Sequence, residues 1–434
     1  MSIRGSRLAS TLRRAGATVP WRARRRFLRA AIALHWSAVV LCGGAVLTSG
    51  CAQLVQRHLD VATAPASATR FVGGNHVELL TTGPRIENAL LDAVAAATNS
   101  VNLETYILAA DEVGTRLARA LVAARERGVT VNLMYDSYGS RDLPDAFIAQ
   151  LRSAGIATLE FNPLDPRDTR GAWEPNHRDH RKLLIVDGRT AILGGANIRR
   201  PPSVDGERRW RDTDVLVKGP VVTQFQDLFV ASWLAESATP MAPAFYYPSL
   251  SKVGDQQVRA VGEGPDSDNI YAALTAAISK ARTSVHLTTP YFVPDPRLLT
   301  AIQNASRRGV EVALMLPSDS DVPAALAAAR SYYDELMAAG VTVYELQGAL
   351  LHAKTAVVDH SWSTIGSANL DMRSFLFNRE VNAVVLGHDF GTKMEVLFFQ
   401  DVANSVRIDE GKWRMRGIRA RFAELIARMF WYLW

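Results

Sequence analysis

The segment His180-Arg181-Lys182-Leu183-Leu184-Ile185-Val186-Asp187, with Gly194-Gly195-Ala196-Asn197 after it, recurs 172 residues downstream as His352-Ala353-Lys354, Asp359 and Gly366-Ser367-Ala368-Asn369. One such run could arise by accident. Two copies that keep His, Lys, Asp, Gly and Asn in a single register could not. The repeat therefore requires two equivalent halves in one chain, each carrying half of one site.

The duplication extends beyond these motifs. Asn99-Ser100-Val101-Asn102-Leu103 has a counterpart in Thr283-Ser284-Val285-His286-Leu287, and Arg127-Gly128-Val129-Thr130-Val131 in Arg308-Gly309-Val310-Glu311-Val312. Ala154-Gly155-Ile156 likewise matches Ala339-Gly340-Val341. Each half reads as alternating helices and apolar strands that end in a hairpin carrying the His-x-Lys motif. Such alternation predicts an α/β fold of two pseudo-symmetric halves, each a mainly parallel or mixed sheet flanked by helices, with the site between them. A helix from Gly114 to Arg127 spaces Leu117, Leu121 and Val122 for core packing. The expected divisions are a leader over 1–51, one half over 70–240, the other over 258–405, and a basic-aromatic helix over 406–434. Pro240 to Gln257 forms the linker. The irregular stretch Pro163 to His177 is either a lid or a passive surface insertion.

The triads His180, Lys182, Asp187 and His352, Lys354, Asp359 form the candidate catalytic set. Strand side chains alternate, so His180 and Lys182 share a face, whereas Asp187 lies at an odd offset and turns away. Asp187 and Asp359 are accordingly read as turn residues within that set. A hairpin centred between Gly188 and Arg189 would place Asn197 opposite His180, and Asn369 opposite His352. Gly194, Gly195 and Gly366, with Ser367, let backbone or substrate approach closely.

Two lysines and two asparagine amides make a cradle for a phosphodiester, and two histidines permit a nucleophile and a general acid. A nucleophilic histidine must be neutral, with its second ring nitrogen held by an acceptor. Trp210-Arg211-Asp212-Thr213-Asp214 and Asn378-Arg379-Glu380-Val381-Asn382 occupy equivalent places, so Asp212 and Glu380 are the candidates for orienting the histidines. The alternative is that each makes a surface ion pair with a nearby arginine. No cluster of carboxylates or cysteines accompanies the histidines, and neither a metal nor another cofactor is expected.

The net charge of +6 invites a nucleic-acid reading, but nine arginines and no acidic residue lie in residues 1–30. The remainder carries 40 basic against 43 acidic residues, so no nucleic-acid partner is expected. Ala30 to Gly50 lacks Asp, Glu, Lys and Arg and is long enough to cross a bilayer at about 1.5 Å per residue. Arg24-Arg25-Arg26-Phe27-Leu28-Arg29 before it resembles a twin-arginine export signal, and Leu47-Thr48-Ser49-Gly50-Cys51 after it resembles a lipobox. Two readings stand: a lipoprotein modified at Cys51, or a signal anchor oriented by its arginines. Either tethers an exported catalytic part to a bacterial cell membrane. Both cysteines, Cys42 and Cys51, belong to this segment.

From about residue 70 to 434 the chain resembles the phospholipase D superfamily, on the strength of its two His-x-Lys-x4-Asp motifs. Leu351 to Lys354, Gly366 to Ser374, Glu104-Thr105-Tyr106, Trp210 to Thr213 and Thr289 to Pro294 resemble the bacterial cardiolipin synthase branch. Gly195 stands where the superfamily usually has serine. The resemblance implies phosphatidyl transfer between phospholipids (phosphatidylglycerol, and phosphatidylethanolamine as a further substrate) through a phosphohistidine. His180 would be the nucleophile, His352 the acid and base, and Lys182, Lys354, Asn197 and Asn369 the phosphate ligands. Competing readings are a hydrolytic phospholipase D, a nuclease and a non-catalytic lipid-binding protein. Lys412 to Trp434, with five arginines and Phe430-Trp431-Tyr432-Leu433-Trp434, suits either a bilayer interface or a terminal helix packed on the domain.

Overall fold

The computed structural model describes residues 70–168, 174–200, 209–237, 241, 243–264 and 267–429, which fall in the unit Ala62–Trp434. The leader over 1–51, with Cys51, lies outside the described residues, as do residues 430–434. Among the described residues no helix is long and apolar enough to cross a membrane.

The two halves repeat one sheet topology. In the first, Ala157–Phe161, Thr130–Asp136 and Ser100–Thr105 run parallel. Lys182–Val186, Thr190–Gly194, Asp214–Lys218 and Val72–Leu80 then continue that sheet antiparallel. In the second, Thr342–Leu346, Glu311–Pro317 and Ser284–Thr288 are parallel, followed antiparallel by Thr355–Val358, Trp362–Gly366, Asn378–Leu386 and Gln256–Gly264. The expected mixed sheets flanked by helices are thus observed. The sheets meet where Val72–Leu80 runs past its own half to pair with Gln256–Gly264. There the buried Asn75 side chain donates to Val72 O and Gln256 O and accepts from Val221 N.

Burial follows from sequence patterning. The strand Ser100–Thr105 is buried on both faces but apolar on one: Val101 and Leu103 pack with the helix residues Leu117 and Leu121, while on the other face Asn102 Nδ2 donates to Gln226 and Asn132 Nδ2 donates to Asn102 Oδ1. Helix Glu112–Glu126 buries Leu117 and Leu121, and Asp111 caps its start by accepting from Gly114 N. A shared core joins the halves: Leu183, Ile185, Phe225 and Phe229 from the first lie in one cluster with Val357, Ile365, Val381 and Phe390 from the second. The linker is not a free tether. Tyr246 is buried, and its hydroxyl accepts from Asn132 Nδ2 at 3.0 Å.

The motif hairpins differ from expectation by one residue. Asp187 and Gly188 both take positive φ, 53° and 61°, and Arg189 N donates to Val186 O. The turn therefore sits on Asp187-Gly188, and the strands pair Leu183 with Leu193 and Val186 with Thr190. Extended further, this register would set Ala196, not Asn197, opposite His180. The second copy shifts in the same way, with Asp359 and His360 at φ 51° and 52° and Val358 paired with Trp362. A one-residue shift reverses faces, so cross-strand pairing does not bring Asn197 and Asn369 to the histidines.

Asp187 holds this turn to the neighbouring strand. Its carboxylate accepts from Thr98 N, Asn99 N, Ser100 N and Thr98 Oγ1, and Asp359 accepts from Arg282 N, Thr283 N, Ser284 N and Thr283 Oγ1. Burial alone would raise both acids, but these N–H donors hold them below the usual carboxylate range. A depressed carboxyl stabilises the fold above the unfolded pKa of about 3.9, and that contribution disappears as pH falls through the folded value. Asp187→Ala and Asp359→Ala should each cost about 1–3 kcal/mol in urea unfolding at pH 7. The gap from the native chain should narrow below about pH 3.9, and a variant as stable as the native chain at pH 7 would contradict the clamp.

Candidate active site

Two short parallel pairings between the halves build the site. Arg178–Asp179, just before His180, pairs with Asn378–Arg379, just before Glu380. Ala349–Leu351, just before His352, pairs with Arg209–Arg211, just before Asp212. The backbone continues each pairing, with His180 N donating to Arg379 O at 2.9 Å and His352 N to Arg211 O at 2.8 Å.

The result is a reciprocal exchange. His180 Nδ1 meets the Glu380 carboxylate at 2.9 and 3.0 Å, and His352 Nδ1 meets Asp212 Oδ2 at 2.7 Å. Each half thus supplies the carboxylate that orients the other half's histidine. A carboxylate on Nδ1 selects the tautomer with its proton there and directs Nε2 as the reactive nitrogen. A second reciprocal pair surrounds the first: Arg211 makes a bidentate bond to Asp401, and Arg379 reaches Glu236.

Both histidines and both lysines are buried. Lys182 Nζ donates to His180 O, and Lys354 Nζ to His352 O. Burial, then Lys182, Lys354 and His352, push His180 well below the ordinary histidine value of 6.5. The crossed contacts His180–Glu380 and His352–Asp212 bring the two half-sites together. Burial and Lys354 lower His352 to about 4 against the pull of Asp212. Burial lowers Lys182 to about 7 and Lys354 to about 8, opposed chiefly by Glu380 for the first and Asp212 for the second. The carboxylates differ. Burial raises Glu380, whereas His352 and Lys354 outweigh burial at Asp212 and hold it low.

The half-sites are not identical. Ser367 donates its hydroxyl to Glu380, and Asn378 Nδ2 donates to the same carboxylate at 3.2 Å. At the position equivalent to Ser367 stands Gly195, where an added Cβ would lie 2.1 Å from Asp212 Oδ1. Gly195 thus makes room for the carboxylate that holds His352. Gly194 and Gly366 likewise abut Asp214 and Asn382. Burial and the neighbouring Asp212 carboxylate raise Asp214 to about 8. Its Oδ1 accepts from Ala196 N, as Asn382 Oδ1 accepts from Ala368 N.

Asp187 and Asp359 stay at the hairpin turns, roughly 20 Å from the histidines by strand rise, and the triads do not assemble as units. The amide oxygens of Asn197 and Asn369 are buried and have no hydrogen-bond partner among the described residues. Sequence reasoning missed two aromatic neighbours. Tyr106 packs edge-on to His180 at 4.7 Å between ring centroids, and Trp210 lies 4.3 Å from His352. Lys182 Nζ sits 5.1 Å from the Tyr106 ring centre. Both aromatics belong to segments that carried the family resemblance, which was the available signal. Among the described residues no group of His, Cys, Asp and Glu has a metal-binding arrangement.

The same fold occurs in a phosphatidylserine synthase from Haemophilus influenzae, at TM-score 0.65 and 12% identity over 88% of this chain and 99% of that one. The family described as cardiolipin synthase, PLD-like domain, matches residues 90–233 and 274–402. A cardiolipin synthase of Geobacillus kaustophilus is 34% identical over 359 residues, 81% of this chain and 71% of that protein. The major cardiolipin synthase of Bacillus subtilis is 34% identical over 367 residues, 83% and 75% of the two chains. The chain belongs to the cardiolipin synthase, PLD-like domain family.

The lysine shifts set a pH profile. As pH rises through about 7 to 8 the free site loses the ammonium charges that would hold an anion, so kcat/KM should fall there. The acid limb should lie below 6.5, because His180, the histidine expected to be neutral for attack, is lowered. Initial rates across pH check this, and an alkaline limb near the ordinary lysine value of 10.5 would contradict it.

Proposed function

We propose that this chain is a membrane-associated phosphatidyltransferase of the cardiolipin synthase type, which moves a phosphatidyl group between phospholipids through a phosphohistidine. The observation that carries the proposal is the crossed pair of histidine–carboxylate contacts around two buried lysines. The cardiolipin synthases among its relatives support a phospholipid substrate class, and phosphatidylglycerol, which the family resemblance implies, is taken as donor and acceptor.

In this reading the His180 Nε2 lone pair attacks phosphorus, forming the P–N bond while the P–O bond to the glycerol head group breaks. His352 gives its Nε2 proton to the departing oxygen. The hydroxyl of a second phosphatidylglycerol then attacks phosphorus as its proton passes to His352. The P–N bond breaks, leaving cardiolipin and free His180. The assignment of roles is supported by the two carboxylates. Asp212 is held ionised and favours an imidazolium at His352, whereas the strongly lowered His180 stays neutral and nucleophilic. Lys182 and Lys354, with the amides of Asn197 and Asn369, would hold the non-bridging oxygens as charge develops. Arrival of the phosphodiester anion restores charge on the lysines. Gly194, Gly195 and Gly366 leave room for Asp214, Asp212 and Asn382, and Ser367 donates to Glu380; Asp187 and Asp359 act only on the fold.

Anchoring rests on the sequence of residues 1–51, either lipid-modified at Cys51 or retained as a signal anchor, with the catalytic part exported. Incubation with phosphatidylglycerol followed by lipid mass spectrometry tests the proposal. Cardiolipin and glycerol are expected, and His180→Ala or His352→Ala should each lower the rate on the order of 10⁴-fold or more. Phosphatidic acid without cardiolipin would make water the acceptor and reject the synthase reading. Full turnover by either variant would reject the two-histidine mechanism.

A further inference from the structure

Helix Ile418–Met429 is built the opposite way round from an ordinary surface helix. It packs against helix Pro323–Arg330, and only Glu424 and Ala427 of it are buried. Arg416 ties Glu424 to Asp334, and Arg428 donates to Ser331 O and pairs with Glu335. The large apolar side chains face away from the protein: Ile418 is 84% exposed, Phe422 64%, and Leu425, Ile426 and Met429 follow at helical spacing. At about 100° per residue these five form one stripe opposite the packed side. Contiguous apolar surface of this kind marks a binding face.

Charge identifies the occupant. Residues 412–434 contain six basic residues and one acidic, whereas residues 31–411 contain 34 basic and 42 acidic. Arg419 and Arg421 flank the stripe on its two sides, and neither has a carboxylate partner among the described residues. Beside Leu425 opens a cavity of about 490 Å³ whose charged lining is Arg414, Arg416, Arg421 and Arg428 against Asp334 and Glu424, a net positive charge. A second copy of this face would oppose arginine to arginine, and the apolar segment Ala30 to Gly50 offers no negative charge. Apolar stripe, flanking arginines and a cationic recess together match a leaflet of anionic phospholipid.

We infer that helix Ile418–Met429 lies in the surface of an anionic bilayer, with its apolar stripe among the acyl chains and its arginines on lipid phosphates. The inference rests on the phospholipid reading for the presence of that bilayer, but it is tested without turnover. The full chain carrying Cys42→Ser and Cys51→Ser receives a spin label at Phe422→Cys or at Ala420→Cys on the opposite side. Each is reconstituted in vesicles of phosphatidylcholine with or without phosphatidylglycerol. With phosphatidylglycerol, the label at 422 should be reached by oxygen in preference to a water-soluble nickel chelate, and the label at 420 the reverse. Arg419→Gln with Arg421→Gln should weaken insertion about 25-fold, at about fivefold per arginine. Two results overturn the inference. Equal nickel access at 422 in both vesicle types leaves the helix in water, and shielding of 422 from both reagents means that protein covers the stripe. Lipid turnover in the same samples separates the two proposals. Turnover without insertion loses this inference alone, and insertion without turnover loses the transferase.

Discussion

Exchange of carboxylates between the halves is the contact on which the site depends. His180 takes its orientation from Glu380, and His352 from Asp212, so neither half holds a correctly oriented histidine by itself. The exchange is imposed by backbone. Two-residue and three-residue parallel pairings aim each carboxylate across the interface, and Arg211–Asp401 and Arg379–Glu236 repeat the crossing one layer out. The shared core of the two sheets holds this arrangement fixed. Rigid placement matters because displacement of a reacting group by about 1 Å costs on the order of 10²-fold in rate.

Concentrating two lysines and two histidines in a dry pocket is destabilising unless opposite charge is near. Asp212 and Glu380 provide it, and what remains uncompensated appears as lowered lysines and neutral histidines. Such a site is complementary to an anion with charge spread over several oxygens. Binding of that anion restores charge to the lysines and favours an imidazolium at His352. The two carboxylates differ on a nearly symmetric frame: burial raises Glu380 despite its hydrogen bond from Ser367, whereas His352 and Lys354 hold Asp212 low against burial.

Much of the fold was legible in the sequence because the repeat is long and strand periodicity is strong. The mixed sheets, the helix around Leu117 and Leu121, and the two equivalent halves follow from it. Residue parity also turns Asp187 away from His180, and the hydrogen bonds of Asp187 to Thr98, Asn99 and Ser100 explain what the aspartate does instead. The hairpin register was not legible. It depends on left-handed backbone at Asp187 and Gly188, which leaves Arg189 as an extra residue in the turn. The crossing was hidden for another reason. Asp212 and Glu380 each follow the histidine of their own half in sequence, and only tertiary pairing of very short strands sends them to the other half. Tyr106 and Trp210 were visible as part of a family pattern, but nothing in their spacing predicts packing on the histidines.

The central claim is that His180 attacks phosphorus and the acceptor hydroxyl then displaces His180, with His352 moving the proton at each step, so that two in-line displacements occur. The most direct measurement is the stereochemical course of the reaction. Phosphatidylglycerol made chiral at phosphorus with oxygen isotopes is converted by the full chain, and the configuration of the product phosphodiester is determined. The account predicts net retention, because each displacement inverts the centre once. Net inversion would mean direct attack by the acceptor and would contradict a phosphohistidine held between the two halves.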